Sequence, residues 1–381
     1  MKRIASLATV AALALATPAM ADGAKLPGQL SWTAYGTGSA GYNQSVAIGG
    51  ALKNALGVDL RVLPGKNDVA RTEPLRQGKV QFSATGVGGS FMAQEGVFTF
   101  GKKRWGPQPV RVLLANNGGA INLSVGVAAD AGIKEYKDLK GKRVAWVKGA
   151  PALNVNVTAY LAFAGLTWDD VEKVEFGGFG ASWKGMVNGQ VDAAFASTNS
   201  GKAYEMAASP RGLFWPPVPH ADAEGWARLK AIAPFFTANV AKVGATIDKG
   251  PGYEGAGYAY PVLIAMENQD ADLVYNMTKA MVELYSEFEG KAPGINGWSI
   301  DKQDTKWVAP YHDGAIKYLK EIGKWDDAAQ THNDRLLARQ AALAAAWKAL
   351  EGEGVSDDEW EAKWADKRRA ALEAGGFDIV F

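Results

Sequence analysis

The chain has 381 residues, with 41 Lys+Arg, 40 Asp+Glu, three His and no Cys. A balance so close to neutral gives no electrostatic case for nucleic acid or an acidic membrane surface. The absence of cysteine removes disulfides, thiol chemistry and Cys-ligated metal sites. A chain of this length can bury a large core without cross-links and is long enough for two domains or lobes.

Residues 1–21 read as an export signal. Lys2 and Arg3 form a basic start, Ile4 to Ala16 is a short apolar run, Pro18 breaks any helix, and Ala19-Met20-Ala21 supplies small residues for cleavage. The apolar run is too short for a permanent anchor, and no later run of about 20 apolar residues follows, so the chain is not membrane-spanning. The expected mature protein begins near Asp22 and is periplasmic.

From there the chain alternates strand and helix patterns. Leu30 to Tyr35 is a predicted strand, followed by the loop Gly36 to Gly41 and a helix over Val46 to Leu56. Asp59 to Leu63 is a strand, and Asn67 to Arg76 a short helix that Pro74 should kink or end. Val80 to Ala84 closes this first unit as a strand. A second unit follows: strands at Leu123–Ala128, Val144–Val147, Val174–Phe176 and Val191–Ala196, with helices at Asn154–Ala164 and Trp183–Asn188. Gly257 to Met266 reads as one buried strand and Asp272 to Glu287 as an amphipathic helix. This order predicts an α/β fold with mostly parallel sheets covered by helices. The last stretch differs: Arg335–Leu350 and Asp357–Ala374 are Ala-, Glu- and Lys-rich helices with Trp347, Trp360 and Trp364 on their apolar stripes. Ser356 and Glu359 have the spacing of a capping box. These helices are read as an appendage packed on the body or as a docking surface.

The ordered motifs resemble a family. Gly36-Thr37-Gly38-Ser39 leads into Gly49-Gly50-Ala51-Leu52; Leu75-Arg76-Gln77-Gly78 precedes a strand; and Gly132 to Val144 is similar to a stretch shared by many type II binding proteins. Ala164-Gly165-Leu166, Asn188 to Ala193 and the late run Pro310-Tyr311-His312-Asp313-Gly314-Ala315-Ile316-Lys317-Tyr318 complete the order. Over about residues 30–325 the chain resembles the solute receptors of tripartite ATP-independent periplasmic (TRAP) transporters, TAXI branch. The resemblance implies a two-lobed periplasmic-binding-protein type II fold with a hinge, here followed by a C-terminal helical extension. Between the export signal (1–21) and the extension (331–381), the chain is expected to divide into lobe 1 (22–124 plus 260–330) and lobe 2 (125–259), with hinge crossings near Leu123 to Val127 and Gly257 to Pro261. The resemblance also implies a small organic acid or amino acid ligand and TRAP membrane permease subunits as partners. The alternatives are a binding protein for an ABC importer and a periplasmic sensing adaptor for a membrane kinase, the second of which would use the C-terminal helices to dock.

Ligands of open α/β sheets bind beyond the carboxyl ends of the strands, where helix N-termini suit a carboxylate. That rule selects Thr37, Gly38, Ser39, Tyr42 and Asn43 after the first strand, Lys66 as a counter-charge, and Thr85 with Gly86 after the third. In the second lobe it selects Lys148, Asn154 and Asn156, and Ser197, Thr198 and Asn199, with Trp183 (and Trp146 and Phe179) as possible lining. Many members of the family carry a hydroxyl-rich run where this chain has Ala152-Leu153-Asn154-Val155, so the expected ligand is smaller or more apolar than glutamate. No enzyme is expected. His220, His312 and His332 lack metal-ligand spacing; His220 is expected at the surface and His312 at a helix start. No nucleophile elbow, zinc-protease motif or phosphate-binding loop with its Lys is present, and no cofactor is called for.

Overall fold

The computed structural model describes residues 23–117, 119–247 and 250–381, so the expected signal peptide lies outside the described residues. Twelve strands are described: β1 Gln29–Tyr35, β2 Asp59–Gly65, β3 Phe82–Thr85, β4 Val110–Ala115, β5 Leu123–Ala128, β6 Arg143–Val147, β7 Glu172–Phe176, β8 Ala193–Ser197, β9 Leu213–Phe214, β10 Thr237–Ala241, β11 Tyr253–Gly257 and β12 Val262–Met266. They form two five-stranded sheets of the same plan, β2-β1-β3-β12-β4 and β7-β6-β8-β5-β9, and a small β10-β11 ribbon. In each large sheet four strands run in one direction, and one strand (β12 or β5) is antiparallel to both of its neighbours. The chain crosses from the first sheet to the second after β4 and returns before β12. This is the type II binding-protein fold, two mixed sheets with flanking helices.

Burial explains the order within the sheets. The central strands β3, β5 and β8 are buried throughout, as strands covered on both faces must be. The edge strands β2 and β7 alternate or are exposed, and Pro64, which cannot donate to a ladder, sits on edge strand β2. The expected strand Gly257–Met266 divides into β11 and β12. Pro261 stands at the break, without an N–H to carry a ladder across it.

Helix boundaries follow their caps. The first helix runs from Ala40 to Leu56, six residues earlier than the apolar spacing suggests, because the Ser39 hydroxyl accepts the Tyr42 N–H at 3.3 Å. Gly57, with φ of 70°, ends it by donating to Leu52 and Lys53 carbonyls. The helix Asp68–Arg76 starts at Asn67, whose side chain accepts from the Ala70 N–H at 2.9 Å. Pro74 lies inside its last turn and does not end it; the helix runs on to Arg76.

After β12 the chain forms the helices Ala271–Glu283, Asp313–Glu321, Asp327–Glu351 and Asp357–Ala374. The last two enclose their own cluster of Leu343, Trp347, Leu350, Trp360, Trp364 and Leu372. Ser356 does not cap the final helix; its hydroxyl donates to Glu359 at 2.7 Å instead of accepting a backbone N–H. The pair docks on the body through Glu95, which is fully buried between Arg339 at 2.6 Å and Arg368 at 2.5 Å. Trp364 adds an indole hydrogen bond to the Gly96 carbonyl at 2.6 Å. No described helix is long and apolar enough to cross a membrane.

Candidate functional site

The carboxyl ends of β1, β2 and β3 face those of β6 and β8 across a cleft. Between them lies a cavity of about 50 Å³, lined from the first sheet by Tyr35, Ser39, Lys66, Asn67, Asp68, Arg71 and Gly86. From the second come Leu123, Ala150, Ala152, Leu153, Phe179, Phe195, Ala196 and Ser197, and Tyr258 and Tyr260 come from the returning crossing. Ligand pockets in general run to several hundred Å³, so this one suits a molecule of few atoms.

Arg71 is the centre of its polar side. The residue is 4% exposed. Its guanidinium donates to the Gly65 carbonyl at 3.1 Å and to the Thr85 hydroxyl at 3.4 Å, pairs with Asp68, and stacks on the Tyr35 ring. Three of its five N–H groups are committed in this way, which holds the fork rigid while leaving donor capacity. Both Arg71 and Asp68 sit in the helix Asp68–Arg76, three residues apart on one face.

Asp68 is 2% exposed and makes the bridge between the sheets. One oxygen meets Arg71; the other accepts the Ala152 N–H at 3.1 Å, in the first turn of the helix Pro151–Phe163. Burial raises the carboxyl above its ordinary value, while Arg71 and the Ala152 N–H pull it back down. Next to it the Asn67 amide donates to the Lys148 carbonyl at 3.3 Å, and farther along the cleft Asn199 donates to the Pro293 carbonyl at 2.7 Å. The lobes are therefore in contact.

The tyrosines form the remaining wall. The Tyr35 and Tyr260 rings pack with centroids 4.9 Å apart. The Asn156 amide donates to the Tyr258 hydroxyl at 2.7 Å. Burial, their largest common cause, raises the phenols of Tyr35 and Tyr258 well above the usual value and pushes Tyr260 up to about 12. All three stay neutral at any physiological pH and present an apolar face with a polar tip.

The structure places the residues singled out from sequence in three groups. Ser39, Lys66, Gly86 and Ser197 line the cavity. Thr85, Asn156 and Lys148 stand one step behind: Thr85 holds Arg71, Asn156 holds Tyr258, and the carbonyl of Lys148 receives Asn67, while its ammonium pairs with Glu175 at 2.7 Å. The others lie elsewhere. Tyr42 and Asn43 belong to the first turns of the Ala40–Leu56 helix and do not line the cavity. Thr37 lines a wider outer groove, and Gly38 approaches Lys202. Asn154 ties down the loop by bonding both the N–H and the carbonyl of Val147. Thr198 bonds the Asn122 N–H and the Val243 carbonyl, and Asn199 reaches Pro293. Trp183 is buried core whose indole bonds the Phe195 carbonyl at 3.1 Å, and Trp146, packed on Trp168, does not line the cavity; Phe179 does.

Sequence reasoning missed Tyr35, Asn67, Asp68, Arg71, Leu153, Tyr258 and Tyr260. The i,i+3 spacing of Asp68 and Arg71 on a helix at a strand end was a signal for the first site pair. Nothing local marks Tyr258 and Tyr260, because they reach the cavity only through the return crossing. Of the histidines, His312 caps its helix by accepting the Gly314 N–H at 3.1 Å, and His220 lies partly exposed beside Glu254.

Comparison with known proteins adds the following. The NMT1-like family matches residues 33–323. Among solved structures, the chain is similar to the alkanesulfonate-binding protein SsuA from Xanthomonas axonopodis pv. citri bound to MOPS, at 15% identity and TM-score 0.44 over 81% of this chain and 84% of that one. It is also similar to an ancestral arginine-binding protein bound to arginine, at 17% identity and TM-score 0.42 over 72% and 97%. A third is the amino acid ABC transporter substrate-binding protein AbpA from Streptococcus pneumoniae bound to L-arginine, at 13% identity and TM-score 0.38 over 71% and 96%.

Proposed function

The chain belongs to the NMT1-like family and has the fold of a solute-binding protein, and from that premise we propose that it is a periplasmic receptor that closes two lobes on a small, singly charged organic acid. The observation that carries this reading is Arg71, buried, oriented by Gly65, Thr85, Asp68 and Tyr35, and facing a small cavity of mainly apolar lining. Lys66 and Arg71 against Asp68 leave one positive charge in excess among the lining side chains. A single carboxylate balances it; a short apolar tail fits against Leu123, Leu153, Phe179 and Phe195. The hydroxyls of Ser39 and Ser197 supply further polar contacts. The two crossings beside Leu123 and Tyr258 serve as the hinge, and a ligand stabilises closure because only then do both lobes touch it.

The partner is a membrane permease. The resemblance of the Pro310–Tyr318 run favours TRAP permease subunits, with an ABC importer as the second reading. Reconstituted uptake separates them: dependence on an ion gradient supports the first, and dependence on ATP the second.

Native mass spectrometry of the purified protein, before and after release of bound small molecules, tests the ligand class. A stoichiometric monocarboxylic acid supports the reading. An α-amino dicarboxylate, or no adduct together with no thermal shift from a panel of short organic acids, sinks it.

A further inference from the structure

The helix Pro151–Phe163 lacks a cap of its own. Its N-cap residue is Ala150, which offers no side-chain acceptor, and Pro151 takes the first position. The first turn is instead served from the opposite lobe by Asp68, whose oxygen accepts the Ala152 N–H at 3.1 Å. The carboxylate sits in a niche built for it. Arg71 holds its other oxygen, and an ideal Cβ at Gly88 would overlap the carboxylate, so only glycine leaves room there.

A helix N-terminus carries a partial positive charge and unpaired N–H groups, and it is the part of this cleft that a second external carboxylate would seek. We infer that Asp68 is a resident anion which occupies the N-terminus of the opposite lobe's helix, so that the lobes close on it and the pocket reads one external anionic group, on Arg71. Asp68 is then the specificity-determining residue against dicarboxylates. The selectivity rests on the small-anion reading of the cleft; the bridging contact between the lobes does not.

The test uses the full mature chain, with butanoate and succinate as probes. Wild type and Asp68→Asn are titrated with each acid by calorimetry. Wild type, Asp68→Asn and the double variant D68A/R71L are compared by small-angle scattering without ligand. The double variant removes both buried charges together, so its folding does not depend on an unpaired guanidinium. Wild type is expected to take butanoate at least about tenfold more tightly than succinate, and D68N to narrow or reverse that preference by about tenfold. Both variants are expected to scatter as more open particles than wild type. An unchanged preference in D68N overturns the selectivity role, and three superimposable unliganded profiles overturn the role in closure. If wild type takes neither acid, the small-anion reading of the cleft fails, and with it the selectivity role; the scattering comparison still decides whether Asp68 holds the lobes together.

Discussion

The guanidinium of Arg71 lies 4.0 Å from the centre of the Tyr35 ring. Stacking on an aromatic face and pairing with Asp68 both require the planar fork, which lysine lacks. Arg71→Lys keeps the charge but loses the stack and the fixed direction of the remaining donors. Losing charge-assisted hydrogen bonds of about 1.5–3 kcal/mol predicts a fall in butanoate affinity of roughly 10- to 100-fold. Calorimetry reads this directly, and an unchanged affinity would show that charge alone is enough.

Glu95 joins the C-terminal helices to the segment behind the pocket. It has no exposed surface and holds two arginines. The same segment carries Gly86 at the cavity and Gly88 against Asp68. Glu95→Gln leaves buried guanidinium charge without its counterion, a change that costs about 3–5 kcal/mol. Urea unfolding should show that loss. A loss below about 1 kcal/mol would mean that the tryptophan cluster alone holds the extension.

Gly201 meets Gly38 across the cleft. An ideal Cβ at Gly201 would lie 2.6 Å from the Gly38 carbonyl oxygen, which is backbone and cannot swing away. Alanine is otherwise welcome at this helix start, after the Ser200 cap. Gly201→Ala should therefore hold the lobes apart, with a larger radius of gyration and weaker ligand uptake. Its unliganded stability should stay within roughly 0.5 kcal/mol of wild type. A wild-type scattering profile for this variant would refute the contact's role.

His312 sets an acid limit on stability. Burial, the largest cause, lowers its pKa below the ordinary histidine value. Protonation would also turn Nδ1, which accepts the Gly314 N–H, into a donor facing a donor. Because the folded-state pKa is depressed, the unfolded chain binds the proton first. Stability is full above the ordinary histidine pKa of about 6.5 and declines as pH falls through it toward the folded value. His312→Asn keeps a capping acceptor without the titration. Its unfolding free energy should vary less than that of wild type between about pH 7 and pH 5; equal slopes would assign the acid loss to other groups.

The elements most legible in sequence were those whose stability is local. The helix Asp357–Ala374 has the bounds that its composition indicates, and β5 coincides with the predicted strand over Leu123–Ala128. The misses arise where a distant partner decides. The short strands β9 and β10 carry weak patterns of their own and gain their ladders from β5 and β11, whereas β4, with the mostly apolar run Val110 to Ala115, was legible and was passed over. The first helix began early because one hydroxyl, Ser39, outweighed the apolar spacing. For the candidate site, strand ends pointed to loops of which several line the cavity. Within those loops the small and hydroxyl residues drew the reading, although Thr37, Gly38, Thr198 and Asn199 serve the backbone or the outer groove.

Sequence alone determined the class of the molecule: an α/β chain with two βα units, a C-terminal helical pair and a cleft at the strand ends. Periodicity, glycine turns and motif order are local properties and survive without coordinates. Tertiary structure alone decided which charged residues face that cleft. Asp68 and Arg71 look like an ordinary surface pair on a short helix. Arg71 takes Thr85 and Tyr35 from neighbouring strand ends of the first sheet, and Asp68 gains Ala152 only when the second lobe closes over it. Burial and long-range pairing depend on where the chain returns, and no local pattern in a sequence encodes that distance.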